Sequence, residues 1–421
     1  MNLVRKIKTA RQVLLKHGFK EVLLLLQSNI EFYFMRFFRF ITSKLRRAAF
    51  RFFINSREGK SGDKLKILYV TERTEAENGQ TVRYRIYNLR EALHGEAETR
   101  FEIIEYGIYK DDSCIAWADI IVLMRVEWSP MVDTLIKRAK RGGIPVAYDI
   151  DDIIFLQKYL ERFCGILKDD IDKSLDMFGD KFRRQEMTFS SADFCTTSTP
   201  FIAGIMESEG KRAYVIHNGL NRRQIEIAGR IKKEKKPATR YIGYLSGSAT
   251  HNQDFLQAVP ALTRILEEYK DVKLNIVGYF DTDNLLQVLV KRMKTALFMK
   301  WDRLLRYSSS NYINIAPLDI SNPFCHAKSE LKYFEAAIVG VPTVASATDT
   351  YKQCVVSGVN GILASNENEW YVSMKALLDD EKLYENIREN GYKQVIENYS
   401  PAAIAKEATY AYQSILSAYK K

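Results

Sequence analysis

Residues 325–346, CHAKSELKYFEAAIVGVPTVAS, set a lysine and two glutamates at a spacing suited to an anion with hydroxyls attached. Lys328 to Val339 reads as a helix with an apolar stripe of Leu331, Phe334, Ala337 and Ile338, closed by Gly340 and Pro342. Glu330 and Glu335 fall in the first two turns, which the positive end of a helix favours, while Lys328 stands at the start, where that end disfavours a cation. A lysine beside free backbone N–H groups makes a phosphate cradle, with Glu335 further along to meet hydroxyls. An ordinary capped helix with surface charges accounts for the same residues.

Other stretches hold chemistry of their own. In LSGSATHN (245–252) the small residues let backbone N–H groups approach phosphate oxygens, and Ser246, Gly247, Ser248, His251 and Asn252 surround that space. The loop is neither a Walker loop nor a GxGxxG fingerprint, and a tight turn explains it equally well. AYDIDD (147–152) places Asp149, Asp151 and Asp152 at a strand end. Three acids can hold a metal, but no further ligands present themselves, so no metal is expected. They can instead orient the hydroxyls of a ligand or support a developing positive charge, and helix capping by Asp151 or Asp152 is the competing explanation. Arg125 and Glu127 follow a strand and either line a cleft or pair on the surface. His217 and His251 end or follow strands and read as loop histidines, with no Ser-His-Asp arrangement.

These stretches need strands and helices to hold them. LKILYVT (65–71), FEIIEY (101–106), ADIIVLMR (118–125), GIPVAYDID (143–151), ADFCTTST (192–199) and AYVIHNG (213–219) read as strands, with helices through Arg90 and over 133–141. The pattern restarts after RIKKEKKPATR (230–240), a charged linker, with RYIGYLSGS (240–248), VKLNIVG (272–278), YINIAPL (312–318), VPTVAS (341–346) and GILAS (361–365). Alternating strands and helices predict α/β architecture, two doubly wound Rossmann-like domains facing across a cleft. The expected divisions are 1–60, an extension; 61–229, the first Rossmann-like domain; 230–240, the linker; 241–400, the second Rossmann-like domain; and 401–421, a helix packing back across both.

IGYLSGSATHNQDF, LNIVG, AKSELKYFEAAIVGVPTVAS and GVNGILAS, in that order, resemble the second domain of the group 1 glycosyltransferases with the GT-B fold, and VIHNG resembles their VIPNG. The resemblance covers about residues 65–412. It implies a nucleotide-sugar donor held by the second domain, an acceptor held by the first, retention of anomeric configuration and no cofactor or metal. Glu335 matches the later of the family's paired glutamates, the one that meets the ribose hydroxyls. The earlier one falls at Ala327 and is missing, which puts sugar identity and activity in question, with Ser329 and Glu330 near enough to substitute in part. Relatives hold the diphosphate with a basic pair that LSGSATHN lacks, so Lys328 takes that role, helped by Arg83 or Arg85. Asp151 stands where relatives often carry a histidine near the transferred sugar, and Asn78-Gly79-Gln80 resembles the glycine-rich first loop near the donor phosphates. Asp151, Lys328 and Arg83 are the expected catalytic residues, and Asp149 and Asp152 the acceptor ligands.

The net charge of +11 over 421 residues is located in one place. Met1 to Phe53 carries twelve Lys and Arg against Glu21 and Glu31, leaving the remainder near neutral, so nucleic acid is not an expected partner. On a helix, Ile30, Phe34, Phe37, Phe38, Ile41, Leu45, Ala49 and Phe52 share one face, and Arg36, Arg39, Lys44, Arg46, Arg47 and Arg51 the other. That pattern suits a helix lying on an anionic membrane surface, and docking on the protein's own core is the alternative. No apolar run approaches the ~18–20 residues a bilayer requires. Five scattered cysteines suggest neither a zinc site nor a disulfide framework and fit a reducing cytoplasm. The expectation is a cytoplasmic glycosyltransferase, peripheral on the inner membrane face, acting on a lipid-linked saccharide in surface polysaccharide or glycolipid synthesis. A catalytically silent GT-B subunit and a sugar-nucleotide epimerase of the same fold are the alternatives.

Overall fold

The computed structural model describes residues 64–72, 80–167, 171–231, 239–246, 252–278 and 287–420. The expectations for the extension, for Gly79, Gly247, Ser248 and His251, for the Asn252 side chain and for most of the linker lie outside what is described.

Apolar runs flanked by turns become two six-stranded parallel sheets. The first contains β1 (Leu65–Thr71), β2 (Ala97–Ile103), β3 (Ile120–Met124), β4 (Val146–Ile150), β5 (Phe194–Thr197) and β6 (Ala213–Val215), in the order β2-β1-β3-β4-β5-β6. The second contains β7 (Tyr241–Ser246), β8 (Lys273–Gly278), β9 (Met293–Ala296), β10 (Ile313–Ala316), β11 (Thr343–Ser346) and β12 (Ile362–Ala364), in the order β12-β11-β10-β7-β8-β9. Strand order reverses between β1 and β3 in one sheet and between β7 and β10 in the other. In open α/β sheets ligands bind beyond the carboxyl ends of strands at such reversals.

Three local expectations are corrected. The strand placed at 101–106 is β2, four residues earlier, because the edge register runs from Leu65 opposite Ala97 to Thr71 opposite Ile103. Its alternating Glu98, Arg100 and Glu102 suit a strand open to water on one side. The helix expected over Lys328 to Val339 begins later, and a separate short helix ends just before Lys328. Asn322 caps and Pro323 opens the short one, Pro323–Ala327, and Lys328 follows it with extended backbone at ψ 129°. The second, Leu331–Ala337, has Glu330 at its cap position. β9 and the long helix Ile171–Ser191 were not anticipated. β9 is short and half polar, so neither periodicity nor turn chemistry announces it.

The terminal helix, Pro401–Tyr419, crosses to the first sheet. Ser400 caps it and Pro401 opens it, turning the chain just after the helix Glu381–Tyr399 ends. Its Ile404, Ala408, Tyr412 and Ile415 are buried against Ile67, Tyr69 and Ile86. Tyr69 and Tyr412 share a hydrogen bond of 2.9 Å between their hydroxyls. Two further apolar clusters join residues of both sheets' domains. Tyr84, Leu220 and Ile227 meet Phe334, Ile338 and Tyr399, and Phe155, Phe182 and Ile202 meet Phe324 and Ala327.

Candidate active site

From the first domain, the helical segment 80–92 presents its residues through a π-helical stretch, Arg83–Asn88. Such wide turns occur at functional sites. Here Arg83, Tyr84 and Arg85, consecutive in sequence, are all buried. Arg85 donates to both oxygens of Asp149, at 3.0 Å and 2.6 Å, and Thr196 donates to the second at 2.7 Å. Arg85 is 1% exposed and Asp149 2%, which corrects the reading of Asp149 as an acceptor ligand and of Arg85 as a phosphate helper. A carboxylate so enclosed and so fully engaged is a fixed part of the scaffold.

Asp151 and Asp152 lie just beyond β4 and are held by Arg125. Its Nε is 2.7 Å from Asp151 Oδ1 and its Nη2 3.7 Å from Asp152 Oδ2. Arg125 has φ 50°, the left-handed region that β-carbons resist, and its N–H donates to the Asp149 carbonyl. Beside it, Glu127 pairs with Arg184 at 2.5 Å, and its N–H donates to Glu72 at 2.9 Å. Burial and the Glu127 charge push the Glu72 carboxyl up to about 7. Glu72, directly after β1, is a titratable group that sequence reasoning missed. Its only sequence signal is its place after the first strand.

From the second domain, the segment after β10 brings Lys328, Ser329, Glu330, Lys332 and Glu335. Glu335 is 9% exposed; Tyr84 donates a short hydrogen bond to its Oε1, and Arg83 Nη2 lies 3.4 Å away. Arg83 also donates to Gln80 at 2.8 Å and lies over the Tyr84 ring at 4.2 Å and the Trp301 ring at 5.5 Å. Its Nη1 is buried without a partner. Lys332, not singled out in the sequence, sits 5.6 Å from the Tyr244 ring centroid, near Asp254, Lys328 and Glu335; burial lowers its pKa. Among the described residues neither Lys328 nor Lys332 has an ion-pair partner. The i,i+4 spacing of the two lysines was the available signal.

Ser329 accepts a hydrogen bond at 2.9 Å from Asn218, beyond β6. Glu330 is 2% exposed, bonds Tyr399 and lies within the fields of His217 and Glu407. Ala327 is 1% exposed, with Thr199 donating to its carbonyl at 3.5 Å. Ser246 is buried at the end of β7. Among the described residues no group of three His, Cys, Asp or Glu side chains is placed to hold a metal, and no helix is long and apolar enough to cross a membrane.

Two parallel Rossmann-like domains, with candidate groups beyond the carboxyl ends of both sheets, define a protein of the GT-B fold. Residues 236–380, within the second domain, match the family described as Glycosyl transferases group 1. No curated protein matches the chain. Among solved structures, HepE from Anabaena in complex with UDP and glucose is similar at 14% identity and TM-score 0.56, covering 83% of this chain and 100% of that one. Sucrose-phosphate synthase from Thermosynechococcus elongatus gives 13%, TM-score 0.54, 84% and 100%. A glycosyltransferase from Rickettsia africae gives 13%, TM-score 0.56, 84% and 99%.

Proposed function

We propose that the protein transfers a sugar, a hexose or deoxyhexose, from a nucleoside diphosphate sugar to a saccharide acceptor. The observation that carries this reading is the convergence around Glu335 of Arg83, Lys328 and Lys332, with Arg83 Nη1 and both lysines unpaired among the described residues, in a domain that matches the group 1 family model. Such an excess of cations calls for an anion, and preoriented positive charge stabilises a leaving diphosphate. HepE has been captured with UDP-glucose in the same fold, and a nucleoside diphosphate sugar is the donor class we assign here.

In this reading the bond from the anomeric carbon to the diphosphate oxygen breaks as an acceptor hydroxyl attacks from the same face and gives its proton to the departing diphosphate oxygen, so configuration is retained without a metal. Asp151 and Asp152, held by Arg125, meet the acceptor, and Glu335 exchanges the Tyr84 phenol for ribose hydroxyls. Residues 1–53 place the enzyme on an anionic membrane leaflet, the cytoplasmic one, where a lipid-linked acceptor for polysaccharide synthesis is displayed.

Purified full-length protein is expected to release nucleoside diphosphate from one donor of a panel when acceptor-bearing membranes are supplied. Nucleotide bound without turnover of any donor would instead assign a silent GT-B subunit. One observation favours that second reading: Ala327 is enclosed by the apolar contact of Phe324 with Phe163 and Tyr159.

A further inference from the structure

The residues between the two domains include a titratable group that the transfer reaction does not use. His217 follows β6, and both its backbone N–H and its ring address one carboxylate of the terminal helix. The N–H donates to Glu407 Oε2 at 3.0 Å, and Nδ1 lies 3.1 Å from the same oxygen. The charge of Glu330 in the second domain also acts on this imidazole; Glu330 accepts a hydrogen bond from Tyr399, and its Oε2 is buried with no hydrogen-bond partner among the described residues. The adjacent Asn218 bonds Ser329 across the same seam. One imidazole is thus hydrogen-bonded to a carboxylate of the terminal helix and lies within the field of a second carboxylate, from the second domain.

We propose that His217, Glu330 and Glu407 form a proton-dependent latch, in which closure of the two domains and seating of the terminal helix take up protons. The inference does not rest on the transfer reaction. His217 is 30% exposed at its side chain and Glu407 36%, so protons reach the cluster from solvent while Glu330 closes its inner end. Burial opposes charge on His217, but the Glu407 hydrogen bond and the Glu330 and Glu407 charges outweigh it; Arg85 acts against them, and the net pKa is raised. Burial raises the Glu330 carboxyl, with His217, its own N–H and Tyr399 opposing and Glu407 adding to the rise. Cys354 and Tyr351 also lie within the field of Glu330, both neutral thiol or phenol groups whose ionisation is suppressed by burial.

The two groups act with the same sign. A group whose pKa is higher in the closed state favours that state when protonated and loses the contribution as pH rises through its raised value. For Glu330 the loss begins above the ordinary carboxyl value of 4.5, and for His217 above the ordinary imidazole value of 6.5. The full chain is therefore expected to melt at lower temperature and to show a larger radius of gyration by X-ray scattering at about pH 8.5 than at about pH 6. Glu72 contributes to the wild-type slope as well, so the comparison is with variants over the same range. E330Q and H217Q should each show a shallower fall of melting temperature over this range than the wild type, and E330Q a smaller rise in radius. Where H217Q fails to fold, the isosteric E330Q decides. A wild-type pH slope retained in E330Q, or a radius that rises with pH equally in both, overturns the latch.

Discussion

Removing the Asp149 carboxylate leaves Arg85, 1% exposed, without its counter-ion. Breaking a buried pair from one side costs about 3–5 kcal/mol, so Asp149→Ala should lower unfolding free energy by that amount in denaturant titration. Lys332 makes a different prediction, because it is half-buried with no ion-pair partner among the described residues, and desolvation lowers its pKa. Lys332→Met should raise the melting temperature and weaken donor binding by about tenfold, ~1.4 kcal/mol, in calorimetry. Opposite signs for stability and binding separate a ligand-binding lysine from a structural one. At Glu335, Tyr84→Phe removes the phenol that occupies Oε1, and under the ribose reading donor affinity should hold or rise. Glu335→Ala should lower it. Unchanged affinity in E335A would remove the ribose assignment.

At the scale of elements, the β7–β8 pair depends on Gly278. Its φ is 102°, and a β-carbon there would lie 1.9 Å from the Ser246 carbonyl oxygen. Because that neighbour is backbone, it cannot swing aside. Gly278→Ala should therefore destabilise by about 1–3 kcal/mol or more and disturb the start of the loop after β7, detectable as a lowered melting temperature. The terminal helix is the other dependent element. Deleting 401–421 uncovers the apolar face of Ile67, Tyr69 and Ile86, and the product should aggregate or bind a hydrophobic dye. The Lys328 correction belongs here too. Asn322 and Pro323 are ordinary cap and first-turn residues, and reading them as such would have ended one helix before Lys328.

At the scale of the whole molecule, two apolar clusters join the domains while the Arg83–Glu335 and Asn218–Ser329 contacts lie between them. Admission of a donor to Glu335 requires the first-domain Tyr84 to withdraw, so donor binding and domain separation are coupled in the proposed cycle. The basic extension is tested separately. Deleting residues 1–53 should abolish sedimentation with anionic liposomes, and persistent binding would refute the helix argument.

Much of the fold was legible in the sequence because buried parallel strands are continuous apolar runs and their loops carry glycine, serine and acidic residues. β1, β4, β7 and β8 fall within the stretches that pattern marked, and the order of motifs from LSGSATHN to GILAS was enough to indicate the second domain. The partners of those motifs were not legible. That Asp149 is sealed by Arg85, that Glu330 bonds Tyr399, and that Tyr84 and Arg83 reach Glu335 across more than two hundred residues are outcomes of packing between elements. Sequence periodicity specifies which face of a strand or helix is apolar. Which charged side chain loses its water, and to whom, is decided only when those faces close.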